Sequence, residues 1–146
     1  MRLVRRRFLS VAGTALALPA IARIAEAQPS PGAAKLTQLL KADVTRQNQT
    51  VQETVVNLLE MPPGISAPWH MHPGAQEIVF VLDGALVVEV DGEATRQIGA
   101  GAVALIPAEI PHLVRNENAQ IPARALVTHS RSDKEKPFVV ALKRER

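Results

Sequence analysis

From Thr50 onward the chain is a series of short runs in which apolar and polar positions alternate, each closed by turn residues. "TVQETVVNLLEM" stops at Pro62-Pro63-Gly64, "EIVFVL" at Asp83-Gly84, "ALVVEV" at Asp91-Gly92 and "EATRQI" at Gly99 and Gly101; "AVALIP", "HLVRN" and "ARALVTH" complete the series. A period of two places alternate side chains on one face of a strand, so each run predicts a strand with one buried face. Asp-Gly between two such runs predicts hairpins at Asp83-Gly84 and Asp91-Gly92. Short strands at this spacing, with no long internal repeat, predict an all-β sandwich or barrel.

The segments on either side are less regular. "QPSPGAA" is a Pro- and Gly-rich leader. In "KLTQLLKADV", Leu36, Leu39 and Leu40 stand at helical spacing while Val44 and Thr45 favour a strand, so this first element has no assigned type. The tail "SRSDKEKPFVVALKRER" is charged except for Pro137 to Leu142, a piece suited to an edge strand or to packing on a partner. The organisation expected is a leader and first element over 28–49, a barrel over 50–130 and a charged tail over 131–146.

Composition alters this picture at one end. "MRLVRRRFLSVAGTALALPAIARIAEA" has a basic start, an apolar middle and a small-residue end, the layout of a secretory signal peptide over 1–27. The apolar stretch from Val11 to Ala22 contains Pro19 and is too short to span a bilayer. Ala25-Glu26-Ala27 offers a cleavage site, and Arg5-Arg6 with Phe8 and Leu9 resembles a twin-arginine export motif in which Val4 replaces the usual Ser or Thr. The expected location is periplasmic or secreted, with no membrane span in the mature form. This segment also holds 5 of the 17 Lys and Arg against one acid. The remainder has 12 basic and 13 acidic residues, a balance of −1 that excludes the electrostatic footprint of a nucleic-acid binder. With no cysteine, disulfides and thiolate chemistry are excluded, and any metal must be held by nitrogen and oxygen.

The chain has four histidines, two of them in "HMHPGAQE". Residues two apart in a strand share a face, so His70 and His72 can point the same way. Glu77 would fall on the opposite face of one continuous strand, but Pro73-Gly74 supplies a bend that returns the chain and resets its facing. His112 opens "HLVRN", a strand that a compact barrel can bring beside the first. Three imidazoles and a carboxylate would bind one divalent transition metal ion (Mn, Fe, Ni, Cu or Zn) and leave positions open. Val79 and Val81 share the facing of Glu77, and Val114 that of His112, so these three are expected to line an apolar pocket over the metal. Trp69 and Phe80 face away, as packing or interface residues. His129 in "LVTHSR" could reach the barrel mouth as an acid/base group but is read as a surface or edge histidine outside the site; Arg96 and Arg124 could grip an anionic substrate but are read as exposed residues of the β-surface. There is no Gly-x-Ser-x-Gly and no glycine-rich phosphate loop.

The whole pattern is Gly64, five residues, His70-Met71-His72, four residues, Glu77, six residues, Gly84; then Gly101, five residues, Pro107, His112, three residues, Asn116. It resembles the two motifs of the cupin family, joined by the 16-residue spacer of small bacterial cupins; the one departure is Glu109, where the family usually has Gly. The resemblance implies a double-stranded β-helix of the jelly-roll type, with His70, His72, Glu77 and His112 as metal ligands. It also implies turn-forming roles for Gly64, Gly84, Gly101, Pro107 and Asn116. An open three-nitrogen, one-oxygen site in an apolar barrel then leads to the functional expectation. The chain is read as a periplasmic metal-dependent oxygenase of the quercetin-dioxygenase-like type, with Glu77 also moving the proton of a small chelating organic substrate. A metal-dependent isomerase or decarboxylase and a non-catalytic small-molecule-binding cupin are the alternatives, and a homodimer is a possible assembly.

Overall fold

The structure, a computed structural model, describes residues 32–45 and 50–144. The expected signal peptide and the start of the leader therefore lie outside the described residues. Ten strands follow one another, with no helix among the described residues: β1 Lys35–Asp43, β2 Glu53–Met61, β3 His70–Met71, β4 Ala75–Asp83, β5 Ala85–Val90, β6 Arg96–Gly99, β7 Val103–Ile106, β8 His112–Arg115, β9 Ala123–Arg131 and β10 Val140–Ala141. They form two five-stranded antiparallel sheets, one in the order β1-β2-β9-β4-β7 and the other β10-β3-β8-β5-β6. This is the all-β jelly roll that the strand rhythm and the motif pattern together led one to expect.

The element left open by its pattern, β1, is a strand. It pairs with β2 through a register shift between Gln38 and Leu40. Leu36 stands opposite Leu59, and beyond the shift Leu40 stands opposite Val56, so the two lie on different faces, and Leu36, Leu39 and Leu40 are all exposed. The apolar piece of the tail supplies the short edge strand β10 against β3.

One turn departs from expectation. Asp91-Gly92 lies between strands that pair, β5 and β6, but Asp83-Gly84 does not close a hairpin, because β4 and β5 belong to different sheets. Gly84 carries the chain across the edge of the sandwich with φ 72°. A Cβ there would stand 2.7 Å from the carbonyl oxygen of Pro122. The glycine is needed for a crossing, not for a two-residue loop.

The alternation of each strand decides where the core sits. Strand β2 is buried at Glu53, Val55, Asn57, Leu59 and Met61, and β9 at Ala123, Ala125, Val127, His129 and Arg131. Met61 pairs with Ala123 at one end and Glu53 with Arg131 at the other. The inner face thus grades from apolar to polar along the barrel. At the apolar end Leu59, Met61, Val79, Val81, Leu86, Ile106 and Ala125 form one cluster with their neighbours. Each fully buried Val or Leu there contributes roughly 1.5–3 kcal/mol relative to exposure.

Candidate metal centre

At the polar end the two sheets bring together the residues singled out in the sequence. His70 on β3 stands directly opposite His112 on β8 in one sheet, their rings 4.3 Å apart between centroids. Glu77 on β4 belongs to the other sheet. His72 lies just past β3, where Pro73-Gly74 turns the chain from one sheet into the other, with Gly74 at φ 70°. The bend inferred from the sequence is therefore also the crossing that lets ligands from both sheets meet. One ligand atom from each of His70, His72, Glu77 and His112 lies within 4.8 Å of every other.

The orientation of each imidazole is fixed from behind. The Nδ1–H of His70 donates to the Pro68 carbonyl (2.8 Å), that of His112 to Ile110 (2.9 Å) and that of His72 to Phe138 (2.7 Å). A neutral imidazole with its proton on Nδ1 presents only a lone pair at Nε2. Yet the Nε2 atoms of His72 and His112 each lie 3.0 Å from Oε2 of Glu77. Acceptors aimed at an acceptor require a cation between them, either a proton or a metal ion. The nitrogen and oxygen donors, held by carbonyls on the far side of each ring, fit a divalent transition metal.

The electrostatics agree. Burial works to raise the Glu77 carboxyl, but hydrogen bonds from His112, His129 and His72 hold it well below its ordinary value. Burial works to lower His112, and its hydrogen bond to Glu77 overrides this and raises it. His70 is lowered, chiefly by burial. A carboxylate kept ionised inside a protein marks either an ion pair or a metal site.

Two expectations are corrected here. His129 is not a surface or edge residue: it is 2% exposed, on the central strand β9, directly opposite Glu77. Its Nε2 lies 3.2 Å from Nε2 of His72 and 3.5 Å from Oε2 of Glu77, and its Nδ1 is buried without a partner. The signal was present in the parity of "ARALVTHSR", since His129 shares its face with Ala125 and Val127; the strand runs four residues beyond Val127, where the aliphatic run ends. Val79 and Val81 share the face of Glu77 as expected, but they are fully buried in the core and do not line the cavity. Val114 does line it.

That cavity, of about 360 Å³, opens onto His70, His72, Glu77 and His129. Its other walls are apolar, with Leu36 from β1, Leu59 and Met61 from β2, Val127 from β9, and Phe138 and Val139 from the tail. Phe138 was not anticipated as a site residue; its ring packs on both His72 and His129. Trp69 and Phe80 stand outside the cavity as expected, Trp69 beneath the Arg144 guanidinium and Phe80 on the outer face of β4. Arg96 pairs with Glu93 and Arg124 with Asp83, both at the surface.

Glu109 resolves the one departure from the motif. It has φ 65°, the only positive φ outside glycine among the described residues. The turn keeps the left-handed conformation that glycine would adopt at no cost. Oε1 of Glu109 accepts the Gly74 N–H at 2.9 Å and pairs with Lys136 at 3.2 Å, which ties this turn to the one after His72.

Comparison with known proteins places this geometry. Germin-like protein 1 of Brassica napus is 36% identical over 76 residues, covering 49% of this chain and 36% of that protein. The chain thus spans only about a third of the length of that curated relative. Among solved structures, DMSP lyase DddQ from Ruegeria pomeroyi DSS-3 is similar with a TM-score of 0.53 and 33% identity over 60% of this chain and 42% of that one. A recombinant oxalate oxidase in complex with glycolate is similar with a TM-score of 0.60 and 26% identity, over 77% and 57% of the two chains. The cupin domain model matches residues 57–129, a span that holds both motifs and all four histidines, and the chain belongs to the cupin family.

Proposed function

We propose that this cupin is a metal-dependent enzyme, an oxygenase, acting on a small organic substrate with a chelating head and an apolar body. The observation that carries the reading is the cavity, whose polar groups are the His/Glu cluster at its floor and whose remaining walls are aliphatic or aromatic. No Lys or Arg lines it among the described residues. A small, densely charged dianion would find no counter-charge there beyond the metal itself, whereas a planar or branched apolar body would fill it. A divalent metal held by His70, His72, Glu77 and His112 would supply Lewis acidity and, if redox-active, a means of coupling substrate oxidation to O₂.

The chain's own residues do the rest. Leu36, Leu59, Val127 and Phe138 exclude water and orient the apolar body over the floor. Glu77 receives the proton that a catechol- or enol-type substrate loses as it chelates. His129, whose Nε2 lies 3.5 Å from Oε2 of Glu77, is the neighbour placed to take that proton onward. That relay also favours a second reading, an isomerase or lyase in which proton transfer is the whole reaction.

Screening flavonols, β-diketones and catechols for O₂ uptake by metal-reconstituted protein decides the matter. The oxygenase reading expects metal-dependent O₂ consumption that Glu77→Gln abolishes while it retains much of the metal. Product formation without O₂ consumption would establish the second reading. Tight binding of several chelators with no turnover at all would make the protein a binder, not an enzyme.

The proposed location is the periplasm, and "RRRFLS" is the motif that supports it. Replacing Arg5 and Arg6 together with Lys should leave the protein in the cytoplasm; undiminished export of that double variant would contradict twin-arginine routing.

A further inference from the structure

Two of the three ligand histidines are oriented locally. His70 and His112 each donate to a carbonyl two residues earlier in the chain, Pro68 and Ile110. His72 differs: its Nδ1–H donates over 2.7 Å to the carbonyl of Phe138, 66 residues away in the C-terminal segment. The same Phe138 places its ring 5.5 Å from that of His72 and 4.7 Å from that of His129, between centroids. We infer that Phe138 is a positioning residue of the metal centre, its carbonyl selecting the tautomer and ring plane of His72, and that the C-terminal segment is a working part of the site rather than a trailing end. This rests on the metal-site reading only in its affinity arm.

The segment is held in a manner suited to that task. The buried Arg131 guanidinium donates to the carbonyls of Lys134 (3.2 Å) and Lys136 (2.6 Å) and lies 5.2 Å from the Phe138 ring centroid. Glu53 fixes the guanidinium from β2 at 2.7 Å. Beyond Phe138, β10 pairs with β3, the strand that carries His70, and the Leu142 N–H donates to the Trp69 carbonyl at 2.9 Å. Arg144 reaches Glu89 at 2.7 Å and covers Trp69. Phe138 is thus pinned on both sides.

The ring has a separate role. It lines the apolar cavity and also a second, polar chamber of about 260 Å³ that includes Lys41, Asn57 and Arg131. With Leu36 it lines both, so the two chambers meet at these side chains and a smaller residue at position 138 should join them.

The test uses the full-length chain and Co²⁺ as probe. Long-range ¹⁵N–¹H correlation spectra of the metal-free wild type should show His72 as a single Nδ1–H tautomer. Leu142→Pro combined with Arg144→Ala, which removes the outer anchors at Trp69 and Glu89 while leaving His72, Phe138 and the inner anchor Arg131 unchanged, should mix the two tautomers. It should weaken Co²⁺ binding about 10- to 100-fold, the range in which loss of such an outer partner falls, and shift the cobalt ligand-field spectrum. Phe138→Ala keeps the carbonyl, so it should preserve tautomer and affinity while admitting longer chelators. An Nε2–H tautomer of His72 in the wild type overturns the inference without any metal. So does an unchanged cobalt affinity in the double variant when exchange of the Val140 and Ala141 amides shows the segment released. Failure of the wild type itself to bind Co²⁺ would instead count against the metal centre.

Discussion

The chemistry of the site turns on where a few protons sit. Three imidazoles keep a proton on Nδ1, and those of His72 and His112 bring Nε2 to 3.0 Å from a Glu77 carboxylate held well below its ordinary value. Metal must displace the proton that Glu77 stabilises on His112. Because His112 is raised above its ordinary value of 6.5, cobalt affinity should begin to fall while the pH is still above that value and continue to fall below it. A pH series of calorimetric titrations checks this, and affinity that stays flat down to pH 6 would contradict it. In the metal-free protein the depressed Glu77 and Glu53 carboxyls contribute stability that is present above their ordinary value of 4.5 and lost as pH falls through their lower folded values. Acid unfolding should therefore set in below pH 4.5, and Glu77→Gln should flatten that limb. At this scale the sequence was informative wherever spacing alone carries the meaning. The four ligand positions needed only the offsets around "HMHPGAQE" and "PHLVRN". The carbonyls that accept the Nδ1 protons behind the rings, and the tail carbonyl above all, depend on contacts that no local pattern encodes.

Between residues and fold stand the strands and their connections. Parity was legible where a strand kept alternating, as in β2 and β4, and it was present in β9 as well. His129 was misplaced because the run of aliphatic residues stops at Val127, while the strand and its buried face continue through His129 and Arg131. The reading of Asp83-Gly84 as a hairpin failed for a different reason. A two-residue loop and a crossing between sheets both demand a positive φ, so the same residue pair serves either, and only the pairing of β4 with β7 and β9 distinguishes them. That distinction has a consequence. At an open hairpin Gly→Ala would cost about 1 kcal/mol through φ alone. At Gly84 the added Cβ meets the Pro122 carbonyl oxygen at 2.7 Å as well, so Gly84→Ala should cost at least about 2 kcal/mol. Gly92, where a Cβ meets nothing within 4 Å, is the internal control, and equal denaturation midpoints for the two variants would refute the crossing. Glu109→Gly should be close to neutral, since it relieves the left-handed backbone but removes the hydrogen bond to Gly74.

The molecule as a whole separates stability from function along its axis. Apolar residues from both sheets fill one end, and His, Glu, Asn and Arg on the same inner faces fill the other. The barrel therefore folds on its apolar end and tolerates buried polar groups at the other, where they pair with one another or face the cavity. A ligand that binds only the folded chain stabilises it by about 2.7 kcal/mol when present at 100 times its dissociation constant, so a bound metal should raise the unfolding temperature by several degrees. The central claim is that His70 and His112 from one sheet, Glu77 from the other and His72 at the crossing form a single metal centre. Its most direct test is elemental analysis and Co²⁺ titration of the wild type beside His112→Ala, with circular dichroism confirming that both barrels are folded. The account predicts one ion per wild-type chain and a loss of affinity of at least about 10-fold in the variant. A folded wild type that binds no ion, or a His112→Ala barrel that binds as tightly as the wild type, would contradict it.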